Sequence, residues 1–311
     1  MKILMTGATG LIGQELGAEL VRRGHEISVL ARNPEQAAKK VSFTQNLHQW
    51  HGERLAEDWL RGVEAVIHLA GEPIANSRWT EAVKKRIYDS RVLSSKNIVE
   101  SILAADAKIT AQLHTVIAAS AIGIYGDTGS QVVDETKEPA VEDFLAQVCQ
   151  DWEAAFLPLS HSPGSPPKCR VVHLRTGVVL SKAGGALEKM LPVFRMGMGG
   201  KLGSGDQWMS WIHIQDLVQM ICFSLENSKV VGPINAVAPN PVTNAEFTKI
   251  LAETLGRPAI VPVPAMALKL ALGEMSGVLL GGSRVSAEKI QKLGFQFEFS
   301  KLPDALKACV G

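Results

Sequence analysis

The glycine-rich turn near the start of the chain constrains the fold more than any other feature. Residues 1–6 form an apolar, strand-like run, residues 7–13 read GATGLIG, and residues 14–23 have the periodicity of an amphipathic helix. Gly24 then stands in the position that commonly ends a helix. Strand, glycine loop and helix in this order are typical of the first unit of a dinucleotide-binding fold, so this context favours a nucleotide site over a turn that serves packing alone.

Each glycine of the turn has its own predicted role. Gly7 permits the tight turn out of the strand, Gly10 lets backbone N–H groups approach a pyrophosphate, and Gly13 lets the helix pack closely on the sheet. The positive end of the helix dipole also favours the phosphates. We therefore predict that the cofactor contacts in this loop are Gly7, Thr9, Gly10, Leu11, Ile12 and Gly13.

The length of 311 residues predicts a large nucleotide-binding part with a smaller companion. We expect an α/β fold in which residues 1–180 and 208–238 form a Rossmann-type, doubly wound parallel sheet. Residues 181–207 and 239–311 are expected to form a smaller α/β domain on the substrate side. Hydrophobic residues are 46% of the chain and charged residues 20%, a composition that supports a buried core.

Charge and cysteine content bear on the class of partner. The net charge is +1 and no basic stripe recurs, so neither nucleic acids nor anionic membranes are expected partners. No apolar run reaches the roughly eighteen residues that cross a bilayer. The cysteines, Cys149, Cys169, Cys222 and Cys309, are too widely spaced to predict a metal site or a disulfide framework. Because the first strand begins at Met1, we expect no targeting peptide and a cytoplasmic location.

The end of the second predicted strand indicates which dinucleotide is bound. Residues 26–31 read EISVLA, and Arg32 follows them. Sites that prefer NAD usually carry an Asp or Glu here, which hydrogen-bonds the ribose 2′-hydroxyl. A guanidinium instead pairs with a 2′-phosphate in a forked geometry. We therefore favour NADP(H) over NAD, with a solvated surface arginine as the alternative role for Arg32.

The segment 65–71 is apolar on both faces, which is typical of a strand in a parallel sheet covered by helices. It ends at Leu69, Ala70 and Gly71, where a bare backbone edge can receive a cofactor ribose. Glu72 follows directly, and two roles remain open for it: hydrogen bonding to a ribose or substrate, or capping of the next segment.

A long helix is predicted from Thr80, its N-cap, to about Ala105. Most of its charges are expected to form a solvated face. A helix that passes the adenosine end of the cofactor would present Arg86 and Arg91 to the 2′-phosphate beside Arg32.

Motifs further along the chain carry a family resemblance. They are the strand ending HLAG at 68–71, the stretch SAIGIYGD at 120–127 and the stretch WIHIQDL at 211–217. Together with the glycine loop they resemble the extended short-chain dehydrogenase/reductase superfamily, which includes nucleotide-sugar epimerases and dehydratases. Members often dimerise through the helix that corresponds to residues 80–105, so a homodimer is one expectation.

The catalytic pair of that superfamily is missing. Its reaction uses a tyrosine and a lysine four residues later, which lowers the pKa of the tyrosine. The only tyrosines are Tyr88 and Tyr125, and neither is followed by a lysine at that spacing. Where the pair is expected, Phe144 and Val148 have the spacing, and neither side chain can transfer a proton.

This departure resembles one branch, the atypical epimerase-family or YfcH-like group. The residues that carry the likeness are GEPI at 71–74, RW at 78–79, VC at 148–149, WE at 152–153, RTGVVL at 175–180 and PVF at 192–194. The resemblance implies that NADP is bound. The positions that match its cofactor contacts are Arg32, Leu69, Ala70, Arg86 and Arg91.

Candidates for the chemistry lie after the fifth and sixth strands. Ser120 and Tyr125 are predicted to polarise a carbonyl or hydroxyl group, with Glu72 or a water molecule transferring a proton. Ser120 is also a predicted cofactor contact. The backbone of the turn after the sixth strand can hydrogen-bond the nicotinamide amide, which adds Thr176, Gly177 and Val178 to the predicted contacts.

The last third of the chain is predicted to form the substrate side. The glycine-rich stretch 197–205, beside Trp208 and Trp211, suggests a mobile loop over a ligand or an ordinary surface turn. We also expect a strand entering a helix at 211–216, a strand at 233–237, and helices at 244–255 and 266–280.

Two functions fit these observations. The first is an NADP-dependent oxidoreductase or epimerase that acts on a small, nucleotide-sugar-like substrate without the usual tyrosine and lysine. The second is a protein that senses NADP(H), or binds a partner in response to it, without turnover. The predicted substrate cleft favours the enzyme, because a pure sensor has no need of one.

Overall fold

The computed structural model describes residues 1–75, 77–141, 143–161 and 167–310. Within these residues seven strands form one sheet, and every neighbouring pair in it is parallel. The strands of the chain are β1 Lys2–Thr6, β2 Glu26–Ala31, β3 Leu47–Gln49, β4 Ala65–His68, β5 Thr115–Ala121, β6 Val132–Val133, β7 Arg170–Thr176, β8 Val178–Leu180, β9 Trp208–Met209, β10 Trp211–His213, β11 Gly232–Ala236, β12 Val242–Thr243 and β13 Arg284–Val285.

The order of the seven-stranded sheet is β11-β7-β5-β4-β1-β2-β3. The chain therefore builds outward from β1 in one direction, returns to the other side of β1 at β4, and continues in the opposite direction. Crevices at such a reversal, outside the carboxyl ends of the strands, are where open α/β sheets bind ligands. The predicted doubly wound, Rossmann-type sheet is confirmed.

Helices cover both faces of this sheet. The helices of the described residues are α1 Leu11–Arg22, α2 Pro34–Ala38, α3 Glu81–Tyr88, α4 Ser94–Ala104, α5 Phe144–Ala154, α6 Leu157–Ser160, α7 Gly185–Arg195, α8 Ile214–Glu226, α9 Asn244–Leu255, α10 Ala265–Leu272, α11 Gly277–Leu280, α12 Glu288–Lys292 and α13 Leu302–Val310. Side chains of β1 alternate between two cores, with Ile3 and Met5 in the core shared with α1 and α8, and Leu4 in the core shared with α4 and α5. Burial on both faces explains why the strands read as continuous apolar runs.

An additional C-terminal region packs around a third core, which α7, α9 and α13 share. Three short two-stranded pairings lie outside the main sheet: β8 with β10, β9 with β12 and β6 with β13. The buried carboxylate of Asp216, in the first turn of α8, accepts the backbone N–H groups of Glu298 and Phe299 at 2.8 and 3.0 Å. This contact fixes the C-terminal region to the nucleotide-binding part.

The structure alters two predicted helices. The helix predicted from Thr80 contains a π-helical turn, Asp89–Leu93, between α3 and α4, and Thr80 does cap it by accepting the N–H of Val83. The single helix predicted over 266–280 is wrong, because Gly273 has φ 62° and separates α10 from α11. Such a backbone conformation favours glycine and ends an α-helix. No helix in the described ranges is both long enough and apolar enough to cross a membrane.

Candidate functional site

The glycine loop forms a backbone cradle between β1 and α1. A Cβ on Gly7, whose φ is 73°, would lie 2.6 Å from the carbonyl carbon of Leu69 at the end of β4. A Cβ on Gly13 would lie 2.2 Å from the oxygen of Gly7. Gly10 is the N-cap of α1 and provides no side chain to bond the N–H groups of the first turn. These donors are therefore available to a phosphate, and the residues present fit a bound dinucleotide.

A cavity of about 200 Å³ opens beside this cradle. The glycine loop and the N-terminal residues of α1 form one wall, and Leu217 and Ile221 of α8 form another. Its remaining lining comes from Leu69 just after β4, from the carboxyl-end parts of β5 and β7, at Ala119, Leu174 and Thr176, and from Val179 in β8. The cavity thus extends from the pyrophosphate cradle toward the ends of β5 and β7.

Two of the predicted cofactor arginines are exposed. Arg32 directly follows β2, and no carboxylate of the described residues forms an ion pair with it. Arg86 lies on α3, where its guanidinium donates only a long 3.5 Å hydrogen bond to the oxygen of Ala82. A free guanidinium at the end of β2 has the position that recognition of a 2′-phosphate requires.

Ser120 lies within β5 and is held by a buried ion pair. Its hydroxyl donates to Oε1 of Glu153 at 2.7 Å. Arg175 on β7 donates Nε to Oε1 and Nη2 to Oε2 of the same carboxylate, both at 2.9 Å. The side chains of Arg175 and Glu153 are only 7% and 13% exposed. Burial alone would raise the pKa of Glu153, but the hydrogen bonds and charge of Arg175 outweigh it and hold that pKa below its ordinary value.

Tyr125 belongs to the same network but points into the protein. Its side chain is 2% exposed, and its hydroxyl donates to Oδ1 of Asn235 at 2.7 Å and accepts from Nη1 of Arg175 at 2.9 Å. Burial raises the pKa of Tyr125 to about 12, although Arg175 opposes the shift. The hydroxyl is therefore protonated near neutral pH, and both of its contacts are already made within the protein.

An aromatic cluster lies at the start of α5, where the family resemblance predicts the catalytic tyrosine. The ring of Phe144, at the start of α5, packs edge-on against Trp79 at 5.4 Å between centroids. Lys84 Nζ lies 5.6 Å from the centre of the Phe144 ring and pairs with Glu274 at 2.5 Å. This corner of the site is formed by two aromatic rings and the ion pair of Lys84 with Glu274.

Glu72 lies just past the end of β4. Its backbone N–H donates to Oγ of Ser90 at 3.0 Å, in the π-helical turn. The side chain is partly exposed, and no cation of the described residues forms an ion pair with it. Glu72 is therefore available to a ligand at the cleft, as one of its two predicted roles requires.

The turn between β7 and β8 has fewer free donors than expected. The N–H of Gly177 donates to the oxygen of Ala236 at 3.1 Å, and the N–H of Val178 donates to the oxygen of Ser210 at 2.9 Å. A Cβ on Gly177 would also lie 2.4 Å from that Ser210 oxygen. The turn is held tightly against β10 and β11, so a carboxamide cannot use these two N–H groups.

The C-terminal region closes the outer side of the cleft. The guanidinium of Arg284 stacks on Trp208, with Cζ 4.2 Å from the ring centroid. Arg78, in the loop after β4, donates to the oxygens of Leu270 and Ala271 at 2.5 and 2.8 Å. The glycine-rich stretch 197–205 is bridged to residues 259 and 263. The loop after β4 and the C-terminal region thus face each other across the predicted substrate side.

Sequence reasoning did not assign a role to Glu153 or Arg175. Both occur in stretches that carry the family likeness, but each is separated from Ser120 by more than 30 residues of chain. One feature of the sequence could have revealed the pair. Glu153 follows Trp152 on a helix face that is otherwise apolar, and a carboxylate buried on such a face needs a partner of opposite charge.

The fold and site define an α/β protein whose glycine loop is of the dinucleotide-binding type, at the reversal point of a parallel sheet. The model described as the NAD dependent epimerase/dehydratase family matches residues 3–237, and one described as a domain of unknown function, DUF1731, matches residues 263–309. The chain belongs to the NAD dependent epimerase/dehydratase family.

Its relatives include members named as epimerase-family proteins, which confirms the predicted resemblance. The chain is 40% identical over 313 residues to the chloroplastic homolog of epimerase family protein SDR39U1 of Arabidopsis thaliana, covering 99% of this chain and 86% of the relative. It is 37% identical over 311 residues to epimerase family protein YfhF of Bacillus subtilis, covering 100% and 98%. The crystal structure of human SDR39U1, isoform 2, with NADPH superposes with a TM-score of 0.86 at 32% identity, covering 99% of both chains.

Proposed function

We propose that this protein binds NADP(H) along the carboxyl edge of the main sheet and exchanges a hydride between it and a small substrate. The observation that carries the proposal is the backbone cradle at Gly7 and Gly13, which no larger residue fits, opening into the cavity beside β5 and β7. The NADPH in the crystal structure of human SDR39U1 supports the same choice of cofactor. When bound, NADPH supplies a hydride from its nicotinamide ring.

Selection of NADP(H) over NAD(H) is assigned to Arg32. Its exposed guanidinium follows β2, where the ribose 2′-position of a dinucleotide is recognised. Because no described carboxylate neutralises Arg32, it can pair with a phosphate without breaking another contact.

Ser120 is the residue we assign to the reacting oxygen of the substrate. Its hydroxyl is fixed at the end of β5 by Glu153, and Glu153 is fixed by Arg175. Because its one proton is donated to Glu153, the Ser120 oxygen can accept a hydrogen bond from a substrate hydroxyl group and orient that group without a tyrosine. Glu72, with no ion-pair partner in the described part of the chain, is the proposed group for proton transfer at the cleft. Tyr125, a candidate from the sequence, supports Arg175 from inside the protein in this proposal.

The proposed substrate is a small, nucleotide-sugar-like molecule that enters between the loop after β4 and the C-terminal region. Arg284 stacked on Trp208 and the aromatic pair Trp79 and Phe144 offer one cationic and one apolar wall. The reaction belongs to the oxidoreductase or epimerase class, since both begin with hydride transfer at a carbon that bears oxygen. We also retain a cytoplasmic location, which fits the four buried, unpaired cysteines. A homodimer is proposed as well, and it fits the exposed Leu93 at the end of the π-helical turn and the exposed Leu103 on α4.

The second candidate is a protein that binds NADP(H) without turnover. It is supported by Phe144, which stands where the family resemblance predicts a catalytic tyrosine and packs against Trp79. The two candidates differ in one measurable respect, because an enzyme transfers deuterium from 4-deuterated NADPH to some member of a carbonyl-compound panel. A sensor transfers none to any of them.

The proposal is tested by titrating cofactor-free protein with NADPH and with NADH, for the wild type and for Arg32→Ala. We expect NADPH to bind at least tenfold more tightly, which corresponds to about 1.4 kcal/mol, and Arg32→Ala to remove that preference. Arg61→Ala, which removes an exposed arginine paired only with Asp58, is the control and leaves both affinities unchanged. Absence of binding by both nucleotides to the wild type would overturn the proposal.

A further inference from the structure

The ring of His68 is fully buried at the carboxyl end of β4, and a hydroxyl group lies on each side of it. Nδ1 is 2.7 Å from Oγ1 of Thr6, the last residue of β1. Nε2 is 3.3 Å from Oγ of Ser94, the first residue of α4. Burial, and to a smaller extent the charge of Arg91, lower the pKa of His68 to about 3. The ring is therefore neutral, so one nitrogen donates a hydrogen bond and the other accepts one.

The other contacts of the two hydroxyl groups assign the tautomer of this ring. The Thr6 hydroxyl accepts the backbone N–H of Ala70 at 3.2 Å, which leaves its own proton to be donated to Nδ1. The Ser94 hydroxyl directs its proton at the backbone oxygens of Ser90 and Arg91, at 2.8 and 3.2 Å, and so accepts from Nε2. The ring proton therefore belongs on Nε2, because each hydrogen bond then has one donor and one acceptor. The residues joined in this way are called the His68 network: Ala70, Thr6, His68, Ser94 and Ser90.

The His68 network holds the backbone that leaves β4 at two points. At the first point the N–H of Ala70 is bonded to the hydroxyl of Thr6. At the second point Ser90 accepts the backbone N–H of Glu72 through its own hydroxyl, at 3.0 Å. The same backbone lies against the glycine loop, since a Cβ on Gly7 would be 2.8 Å from the nitrogen of Ala70. The network therefore fixes both the edge that faces the proposed cofactor and the residue proposed for proton transfer.

We propose that His68, with its ring proton on Nε2, is a positioning residue of the cofactor site, because it orients the Thr6 hydroxyl that holds Ala70 against the glycine loop. Without the imidazole, the Thr6 proton would have no acceptor in the described part of the chain, and the hydroxyl could rotate. A site held rigidly before the ligand arrives binds it more tightly. This inference rests on the proposed function. It applies to NADPH and NADH alike, because β4 lies on the opposite side of β1 from β2, which Arg32 follows.

The test combines one measurement of the ring with one of cofactor affinity. In nitrogen NMR spectra of histidine-labelled protein, with His68→Gln to assign the signals, we expect His68 to carry its proton on Nε2 and none on Nδ1 at neutral pH. Calorimetry then gives the NADPH and NADH affinities of the wild type, Thr6→Val and Thr6→Ser. Thr6→Val removes the hydroxyl with little change of shape, and we expect it to weaken both nucleotides about fivefold or more. Thr6→Ser restores the hydroxyl and is expected to bind both within about twofold of the wild type.

Thr115→Val is the matched control for Thr6→Val. Thr115 is also a buried threonine of the main sheet whose hydroxyl contacts a histidine, with Nδ1 of His114 at 2.8 Å. It is the first residue of β5 and therefore lies at the opposite edge of the sheet from the proposed cofactor. Urea unfolding is expected to show a loss of stability in both valine variants, whereas only Thr6→Val weakens the two nucleotides.

A proton on Nδ1 of His68 would overturn the inference, and so would a Thr6→Val variant with the affinities of the wild type. Both results leave the proposed function intact. Equal weakening by Thr6→Val and Thr115→Val would also overturn it, because the effect would then be a general loss of stability. If Thr6→Val does not fold, Ser94→Ala removes the hydroxyl on the other side of the ring, and the same weakening of both nucleotides is expected. A wild type that binds neither nucleotide refutes the proposed function itself.

Discussion

Glu153 and Arg175 form the ion pair on which the polar network around Ser120 depends. Both side chains are largely buried, and two hydrogen bonds of 2.9 Å join them. Removing one partner from such a pair leaves the other charge buried without compensation. The pair therefore affects stability as well as the orientation of Ser120.

Glu153→Gln is expected to lower the free energy of unfolding by about 3 kcal/mol, because the charge of Arg175 is then uncompensated. Urea unfolding of the wild type and the variant measures the loss. The matched control is Glu100→Gln, which breaks the exposed pair with Arg54 and is expected to cost less than about 1 kcal/mol. Equal losses of unfolding free energy in the two variants would show that burying the Glu153–Arg175 pair does not contribute to stability.

For individual residues of the site, the sequence predicted their place along the chain of strands and helices better than it predicted their side-chain contacts. It placed Tyr125 just after the fifth strand correctly, because strand ends can be read from apolar runs, but Ser120, expected after that strand, lies within its last residues. It did not reveal that the Tyr125 hydroxyl is bonded to Asn235 and Arg175, which are 110 and 50 residues away. Local patterns carry no information on contacts made over such separations.

The glycine loop is the element whose geometry is most demanding. A Cβ on Gly13 would meet backbone atoms of Gly7 and Ala8 at 2.2 and 2.6 Å. A Cβ on Gly10 would meet only the oxygen of Gly7, at 3.3 Å, and Gly10 has φ −80°, which any residue adopts. Gly13 is therefore required by the fold, whereas the proposed function requires Gly10 for the approach of a pyrophosphate.

Alanine substitutions separate these two requirements. Gly13→Ala is expected to lower the free energy of unfolding by about 3 kcal/mol, since the backbone must move to accept the methyl group. Gly10→Ala is expected to cost less than about 1 kcal/mol but to weaken NADPH binding at least tenfold. Thermal unfolding and NADPH titration supply the two readouts, with Gly277→Ala, where an added Cβ meets nothing within 4 Å, as the control. Similar stability of Gly13→Ala and the control would contradict the structure.

Helices were predicted correctly where the residues that begin and end them are close together in the sequence. The helix predicted at 244–255 is confirmed, and in the structure Thr243 and Glu246 form a capping box at its start while Gly256 ends it with φ 61°. The π-helical turn at Asp89–Leu93 could not be predicted, because it depends on how α3 and α4 pack against the strand end. The sequence does contain Gly273, which could have indicated the end of α10, but the apolar residues on both sides of it favoured one continuous helix.

Buried histidines couple the stability of the whole molecule to pH. Burial lowers the pKa of His68 to about 3 and those of His173 and His213 to about 4. The folded protein therefore keeps these rings neutral, while the unfolded chain protonates them near the ordinary value of 6.5. Above pH 6.5 their effect on stability is constant. Below it the unfolded chain binds more protons, so their contribution to the free energy of unfolding falls as the pH drops toward 4.

His68→Gln is the variant that isolates one of these groups. The amide can still bond Thr6 and Ser94, the neighbours of the ring, but it does not titrate. We expect the stability difference between the wild type and His68→Gln to shrink by about 1.4 kcal/mol per pH unit below pH 6.5. Urea unfolding at pH 7.5, 6.5, 5.5 and 4.5 measures it, and a difference that does not vary with pH would contradict a neutral, buried His68.

At the scale of the molecule, the doubly wound sheet follows from the sequence because alternating strands and helices with both-face burial admit few topologies. The additional C-terminal region was predicted only in outline. Its pairings, such as β6 with β13, join segments about 150 residues apart, and two-residue strands have no periodicity to read. The division of the chain into two domains stays a prediction.

The central claim is that NADP(H) lies along the carboxyl edge of the main sheet, and a crystal structure of the NADPH complex tests it most directly. We predict the pyrophosphate at the N–H groups that open α1, the 2′-phosphate within hydrogen-bond distance of Arg32, and the nicotinamide ring at the ends of β5 and β7 beside Ser120. A cofactor bound in the reverse direction, or at any site away from the Gly7 to Gly13 loop, would contradict the account.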